Sequence, residues 1–328
     1  LEGREKMILI ADIPGERLDA FLARTMPELT RSAAQRLIEE GNVQRNGKPG
    51  KKNTRLQPGQ TVSYTIPEPQ PVDIAPRDIP LDIVYEDDDI IIVNKEAGMC
   101  VHPGHGNYSG TLVNALTYHL RELPMFQEGD MRAGLVHRID KNTSGLLVVA
   151  KTAFAKAHLG MQFFKKTTKR TYNAVVWGNP KEDSGTVVGN ITRNPRNRLQ
   201  MCVSADESVG KYAVTHYRVI ERFAYCTLVE CKLETGRTHQ IRVHMKHIGH
   251  TLFNDDRYGG NEPLKGVPTA KYKQFVRNCF EVCPRQALHA KTLGFVHPRT
   301  GQQLDFDTPI PADMVELMNK WRDYRKSE

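Results

Sequence analysis

The stretch LVHRIDKNTSGLLVVAK, residues 135–151, decides the fold of the larger part of this chain. Its five consecutive apolar residues at 146–150 predict a strand buried inside a sheet. One acidic residue, Asp140, lies ahead of that strand and beside Arg138, and no second acid occurs in the stretch. The sequence therefore places a single carboxylate at the entrance to a buried strand.

Other segments after residue 80 repeat the strand pattern. Apolar and β-branched runs predict strands at 90–93, 172–177 and 227–233, and helical spacing predicts helices at 154–164 and 312–324. Strands that alternate irregularly with few helices are typical of α+β proteins. We therefore expect an α+β fold.

A proline-rich segment, IPEPQPVDIAPRDIP at residues 66–80, predicts a domain boundary. Its five prolines disfavour both a helix and a central strand. We interpret residues 1–13 as a tag or extension, 14–75 as a small domain with its linker, and 76–328 as the larger domain.

The small domain combines two predicted helices with a basic segment. Helical spacing at 18–22 and 31–40 is followed by an Asn46-Gly47 turn and an alternating strand at 62–66. Residues 31–55 include seven basic residues and only two acidic ones. These charges either keep a helix–turn–strand unit in solution or contact phosphates. The candidate phosphate contacts are Arg31, Arg36, Lys51 and Lys52.

Net charge, cysteine pattern and apolar content indicate which partners and which cellular compartment to expect. A formal net charge of +8 favours a polyanion, nucleic acid first. The six cysteines form no CxxC pair, which favours reduced thiols in the cytoplasm. No apolar stretch is long enough to span a membrane, so we expect a soluble protein.

Several common chemistries lack their motifs. The segment HMKHIGH, residues 244–250, spreads its histidines around a helix and favours a helix that ends at Gly249 over a metal site. The sequence contains neither a phosphate-binding P-loop, nor a GxGxxG after a strand, nor a GxSxG elbow. We expect no metal and no cofactor.

Asp140 has two interpretations from the residues alone. A carboxylate beside an arginine is either a structural ion pair at a strand entrance or a reactive group that the arginine orients. A second block, LETGRTHQIRVHM at 233–245, presents Arg237 between a strand and a predicted helix, where it suits a phosphate or carboxylate clamp.

Five blocks carry a family resemblance. They are YEDDDIIIVNKEAGMCVHP at 85–103, GLVHRIDKNTSGLLVVAK at 134–151, KRTYNAVVWG at 169–178, LETGRTHQIRVHM, and QALHAKTLGFVHP at 286–298. Together they resemble the RluA-type pseudouridine synthases, in particular the large-subunit ribosomal RNA (RluD-like) branch. RLDAFLARTMPELTRSAAQRLIEEGNVQRNG at 17–47 and LQPGQTV at 56–62 resemble the S-four-like RNA-binding domain.

The resemblance implies a catalytic domain on a mixed, mainly antiparallel sheet with flanking helices and a central cleft. It implies that Asp140 is catalytic, that Tyr172 packs against a flipped uracil and assists proton transfer, and that Arg237 pairs with Asp140. Arg138 would enter the RNA stack, and His137 and Lys169 are further candidate RNA contacts. Whether Asp140 adds to the sugar, adds to the base or removes a sugar proton stays open.

The expected substrate is large-subunit ribosomal RNA, free or in pre-ribosomal particles, and the expected enzyme is a monomer. Transfer RNA is the alternative substrate. A non-catalytic RNA-binding or ribosome assembly factor explains the charge but gives Asp140 no use, and a base-excising glycosylase would release free uracil.

Two positions depart from the family pattern. Glu96 replaces a proline, and Asn254-Asp255 replaces Gly-Asp. The first changes a turn and the second a position where glycine favours positive φ, so we expect a changed local loop shape, and neither departure touches Asp140, Tyr172 or Arg237.

Overall fold

The structure, a computed structural model, describes residues 7–26, 29–65, 74–104, 107–127, 132 and 134–327. The chain divides into two compact units, Leu1–Pro71 and Val72–Glu328. None of the helices in the described ranges has the length and apolar character needed to span a bilayer.

The first unit packs two helices against a small antiparallel sheet. In chain order its elements are β1 (Met7–Ile10), α1 (Leu18–Thr25), α2 (Arg31–Glu39), β2 (Val43–Arg45), β3 (Lys48–Pro49) and β4 (Thr61–Tyr64). The strands pair in the order β1-β4-β2-β3. Both predicted helices are confirmed, and Asn46 and Gly47 have positive φ, as a tight hairpin turn requires. Residue 66 of the predicted strand lies outside the described residues.

One buried acid organises the two helices of this unit. The side chain of Asp19 accepts hydrogen bonds from Arg17, Arg31 and Gln35. Burial raises the pKa of Asp19, but these donors outweigh it and lower the pKa to about 2. Arg31, a predicted phosphate contact, is thus already engaged with a carboxylate at 3.2 Å.

The second unit is built on one large sheet. Its strands are β5 (Ile83–Glu86), β6 (Ile90–Lys95), β7 (Ser144–Ala150), β8 (Lys169–Trp177), β9 (Ser184–Arg193), β10 (Met201–Val203), β11 (Lys211–Arg222), β12 (Cys226–Leu233), β13 (Leu288–Val296) and β14 (Gln303–Asp307). Its helices are α3 (Leu112–His119), α4 (Pro124–Gln127), α5 (Ala153–Lys165), α6 (Gln240–His247), α7 (Ala270–Val282) and α8 (Ala312–Ser327).

The strand order of this sheet is β10-β9-β11-β12-β8-β13-β7-β6-β5, with β14 paired to β13. Among the described pairs, β13 and β7 run parallel and the others run antiparallel. The predicted mixed, mainly antiparallel sheet is confirmed. The predicted strands correspond to β6, β7, β8 and β12, and the predicted helices correspond to α5 and α8.

Strand β7 is central because both of its faces are covered. Leu147 and Val149 join the core cluster that contains α3 and α6 residues, whereas Leu146 and Val148 pack in the cluster around Leu159 of α5. Gly145 has φ +118, and a Cβ there would lie 2.2 Å from the Ala290 carbonyl of β13. A side chain at residue 145 would therefore push β7 and β13 apart.

Candidate active site

A cleft of about 580 Å³ opens in the second unit, above the entrance to β7. Its walls come from the loop before β7, the end of α5, the start of β8, and the segment from the end of β12 into α6. The lining includes the predicted residues His137, Arg138, Asp140, Tyr172 and Arg237. Segments far apart in sequence therefore meet around Asp140.

The Asp140 carboxylate is held by an arginine from α6. Arg242 Nη1 donates to Asp140 Oδ2 at 3.0 Å. The same guanidinium donates through Nε and Nη2 to both oxygens of Asp255, at 2.7 and 2.8 Å. Because Arg242 and Asp255 are buried, their bidentate pair fixes the guanidinium in one orientation. Burial disfavours the charged form of Arg242, but the two carboxylates outweigh it and raise its pKa.

The predicted pairing of Arg237 with Asp140 is wrong. Arg237 Nε instead donates to the carbonyl of Tyr212 at 3.0 Å. The side-chain oxygen of Gln240 accepts from the Arg237 N–H and the Thr235 hydroxyl, which folds the turn before α6. The helix begins after this turn, so Arg242 in its first turn reaches Asp140 and Arg237 stays at the cleft mouth.

A histidine also faces the carboxylate. His239 Nε2 lies 3.9 Å from Asp140 Oδ2, and its Nδ1 is 2.7 Å from the Tyr258 hydroxyl. That hydroxyl also accepts from the Met201 N–H. A Tyr258 O–H that donates to Nδ1 leaves the imidazole proton on Nε2, directed at Asp140. Burial lowers the pKa of His239 to about 4, so the ring is neutral at pH 7.

The backbone of His239 is itself unusual. It has φ +56, in the left-handed region that non-glycine residues seldom adopt. The Tyr258 ring below it also lies under the Arg242 guanidinium, 4.9 Å from ring centroid to Cζ. Tyr258 therefore contacts both groups that face Asp140.

Tyr172 lies on β8 between Cys231 of β12 and Ala290 of β13. It is buried yet lines the cleft, and burial raises its pKa. A protonated phenol in the cleft lining suits contact with a planar base. Its neighbour Lys169 is exposed and lies outside the cleft lining.

Arg138 and His137 differ in their surroundings. His137 Nε2 accepts the Val148 N–H of β7 at 3.0 Å, and its ring stacks on Phe163. Burial lowers the pKa of His137 to about 3, which keeps it a neutral acceptor. His137 thus ties the loop to the sheet, whereas Arg138 is exposed at the cleft.

A buried lysine supports the loop that carries Asp140. Lys95 Nζ donates to the carbonyls of Glu96, Met99 and Lys141, at 2.7, 2.8 and 3.0 Å. Burial lowers the pKa of Lys95 to about 7. Lys95 therefore ties the 96–99 turn, where Glu96 departs from the family pattern, to the residue after Asp140.

The second departure from the family pattern, at Asn254, lies beside a residue that contacts the site. Asn254 has φ +55, as expected, and its side chain donates to the carbonyls of Phe280 and Cys283. The next residue, Asp255, orients Arg242 and through it Asp140. The departure at Asn254 therefore lies next to the acid that orients Arg242, while its own side chain bonds to carbonyls at the C-terminal end of α7.

In the described part of the chain, no group of three or more His, Cys, Asp or Glu side chains is arranged to hold a metal ion. Two of the three histidines of HMKHIGH have other partners, since His244 bonds to Thr215 and His250 to the Trp177 carbonyl, and His247 is exposed. Gly249, with φ +84, follows the end of α6 as predicted.

Comparison with known proteins identifies the family of this chain. The RNA pseudouridylate synthase family profile matches residues 89–247, and the S4 domain profile matches residues 16–62. An uncharacterized RNA pseudouridine synthase of Bacillus subtilis (strain 168) is 47% identical, over 94% of each chain. The chain belongs to the RNA pseudouridylate synthase family. It is therefore an isomerase, as the sequence blocks predicted.

Further relatives of this pseudouridine synthase extend the match. The ribosomal large subunit pseudouridine synthase D of Zymomonas mobilis is 44% identical, over 95% of this chain and 96% of that protein. Among solved structures, Human RNA Pseudouridylate Synthase Domain Containing 1 is 25% identical with a TM-score of 0.55, over 77% of this chain and 90% of that one.

Four groups around Asp140 escaped sequence reasoning: His239, Arg242, Asp255 and Tyr258. A usable signal existed for Arg242, because it shares a block with Arg237 and lies on the expected helix. Asp255 and Tyr258 follow in the segment NDDRYGG at 254–260, whose acid and aromatic residues gave no sign of their distant partners.

Proposed function

We propose that this pseudouridine synthase modifies uridines of large-subunit ribosomal RNA, with Asp140 as the catalytic residue. The observation that carries the proposal is the Asp140 carboxylate, fixed by Arg242 in a cleft large enough for a nucleoside. Relatives named ribosomal large subunit pseudouridine synthase D, 42–44% identical over most of the chain, support the choice of RNA.

The reaction needs a positioned carboxylate. Pseudouridine formation breaks the bond between C1′ of the ribose and N1 of uracil, turns the base, and joins C1′ to C5. The hydrogen on C5 is then lost as a proton and N1 takes up a proton, so atoms are conserved and no net oxidation occurs. Arg242 keeps Asp140 in one orientation toward the cleft, which favours reaction at a single substrate atom.

The target uridine must leave the RNA stack to reach this cleft. Flipping costs a few kcal/mol, which contacts with the enzyme offset. We assign Arg138, exposed at the cleft, to the space that the uridine leaves, because a guanidinium stacks on bases. Tyr172 then supplies a ring face for the flipped uracil.

The small domain, predicted at residues 14–75 and falling within or next to the first unit, Leu1–Pro71, adds RNA affinity. Arg36 and Lys51 are exposed, whereas Arg31 and Lys52 are paired with Asp19 and Glu39. Exposed cations contribute by releasing counterions from phosphates. We place the enzyme in the cytoplasm, as a monomer, acting on ribosomal RNA or a pre-ribosomal particle.

Tritium release tests the choice of substrate. RNA labelled at uracil C5 loses tritium to water when the new carbon–carbon bond forms. Ribosomal RNA and transfer RNA, both from cells that lack the enzyme, are compared at equal uridine concentration. We expect release from ribosomal RNA. Release from transfer RNA alone would contradict the proposed substrate.

A further inference from the structure

A large aromatic side chain at the mouth of the cleft is largely exposed to solvent. Phe164, in the last turn of α5, is 81% exposed and lines the cleft that contains Asp140. Single exposed apolar residues are common on protein surfaces and need no explanation by themselves. Phe164 differs because its ring borders the space that a substrate must cross.

A second exposed ring lies near the same mouth. Tyr212, at the start of β11, is 53% exposed. Its backbone carbonyl accepts from Arg237 Nε, and Arg237 also lines the cleft. The Lys166 ammonium lies 5.9 Å from the Tyr212 ring centroid. Lys166 thus links the end of α5, two residues after Phe164, to the strand that carries Tyr212.

The charges around these rings favour RNA as the occupant. Lys165, Lys166 and Lys169 are exposed within five residues of Phe164. Proteins bind single-stranded nucleic acid by placing aromatic rings for base stacking within a basic groove, which tolerates any base sequence. An apolar protein partner would gain little from three exposed lysines so close to Phe164 in sequence.

We propose that Phe164 and Tyr212, here called the aromatic rim, stack on a nucleobase adjacent in sequence to the flipped uridine. This inference rests on the proposed function, since it needs a flipped uridine in the cleft. When a uridine leaves the stack, its neighbours lose a stacking partner. The aromatic rim replaces that partner, and Lys166 contacts the phosphate between the two nucleotides.

A tryptophan reporter tests the stacking without requiring catalysis. The chain has two tryptophans, Trp177 and Trp321, both fully buried, so Phe164→Trp adds an exposed one. Unmodified large-subunit ribosomal RNA transcript should quench the added fluorescence. The control is Met161→Trp, because Met161 is half exposed on the same helix and outside the cleft lining. Equal fluorescence changes in both variants at saturating RNA would overturn the proposal.

Kinetics give a second readout. With the same transcript, Phe164→Ala should raise KM about tenfold, the loss of about one base stack, while kcat stays close to wild type. Phe164→Tyr keeps the ring and should restore KM, and Met161→Ala should not change it. An unchanged KM in Phe164→Ala would overturn the aromatic rim. Absence of tritium release from the wild type would instead contradict the proposed function, and the fluorescence result would still decide the stacking.

Discussion

Arg242 donates to Asp140 at 3.0 Å while both oxygens of Asp255 hold the rest of its guanidinium. The carboxylate that we propose as catalytic is therefore oriented through Asp255, an acid buried away from solvent. Removing either partner of such a buried pair leaves an uncompensated charge. Orientation of Asp140 and stability of the synthase unit are thus linked through one side chain.

Substitution of Arg242 by lysine tests this arrangement. Lysine keeps the charge but cannot bind two carboxylates with one planar group, so Asp140 loses its fixed orientation. We expect kcat to fall by about 100-fold, the effect of a misplaced catalytic group. The comparison variant, Arg237→Lys, should retain most of the wild-type kcat. A larger loss of kcat in Arg237→Lys than in Arg242→Lys would contradict the assignment.

His239 is expected to act as a positioning residue. In His239→Asn the shorter amide can keep the bond to Tyr258, and asparagine tolerates the positive φ, but the Nε2 donor near Asp140 is lost. We expect kcat to fall about tenfold, or about 1.4 kcal/mol, with little change in KM. His247→Asn, an exposed change on the same helix, is the control. A fall in kcat that is accompanied by lower thermal stability and a raised KM would indicate a purely structural role.

Buried neutral histidines predict acid sensitivity. Burial lowers the pKa of His137 to about 3 and of His239, His244 and His289 to about 4. Unfolded histidine titrates near pH 6.5, so between about pH 6.5 and 4 the unfolded chain binds more protons. The free energy of unfolding should fall as the pH is lowered through this range, by up to about 1.4 kcal/mol per pH unit for each histidine.

Urea unfolding at a series of pH values, followed by tryptophan fluorescence, measures this slope for the second unit, which contains Trp177 and Trp321. His244→Asn can keep the bond to Thr215 and removes one titrating group, so its slope should be shallower. Gln274→Asn, an exposed change that removes no titrating group, should keep the wild-type slope. Identical slopes in wild type and His244→Asn would refute the prediction.

Exposed cations of the first unit should make RNA affinity depend on salt concentration. Replacing exposed Arg36 and Lys51 by alanine should weaken RNA binding and reduce the slope of log affinity against log salt by about two. Lys273 and Arg277 on α7 provide a matched double substitution in the second unit. Fluorescence anisotropy at several salt concentrations measures both slopes. An equal reduction in the α7 variant would show that the charge effect is general.

Much of the fold follows from local patterns. Strands β6, β7, β8 and β12 are predictable because each is an apolar run buried in the sheet centre. The sequence does not single out β9 and β11, whose residues alternate irregularly between buried and exposed. Their stability depends on pairing with each other and with β12, which a local pattern cannot reveal.

The candidate active site likewise contains some residues that the sequence identifies and others that it does not. Asp140 and Tyr172 belong to continuous motifs, so sequence places both beside the cleft. The choice between Arg237 and Arg242 depends on where α6 begins, and helix boundaries are the least certain part of a sequence prediction. Asp255 and Tyr258 approach Asp140 only through the tertiary fold, because their partners are distant in sequence.

We propose that the Asp140 carboxylate carries out the isomerisation. Tritium release from ribosomal RNA labelled at uracil C5 is measured for the wild type and Asp140→Asn, with RNA affinity measured in parallel. The exposed substitution Asp206→Asn serves as the control. We predict release by the wild type and the control, and none by Asp140→Asn despite similar affinity. Release by Asp140→Asn at a rate near that of the wild type would contradict a catalytic role for Asp140.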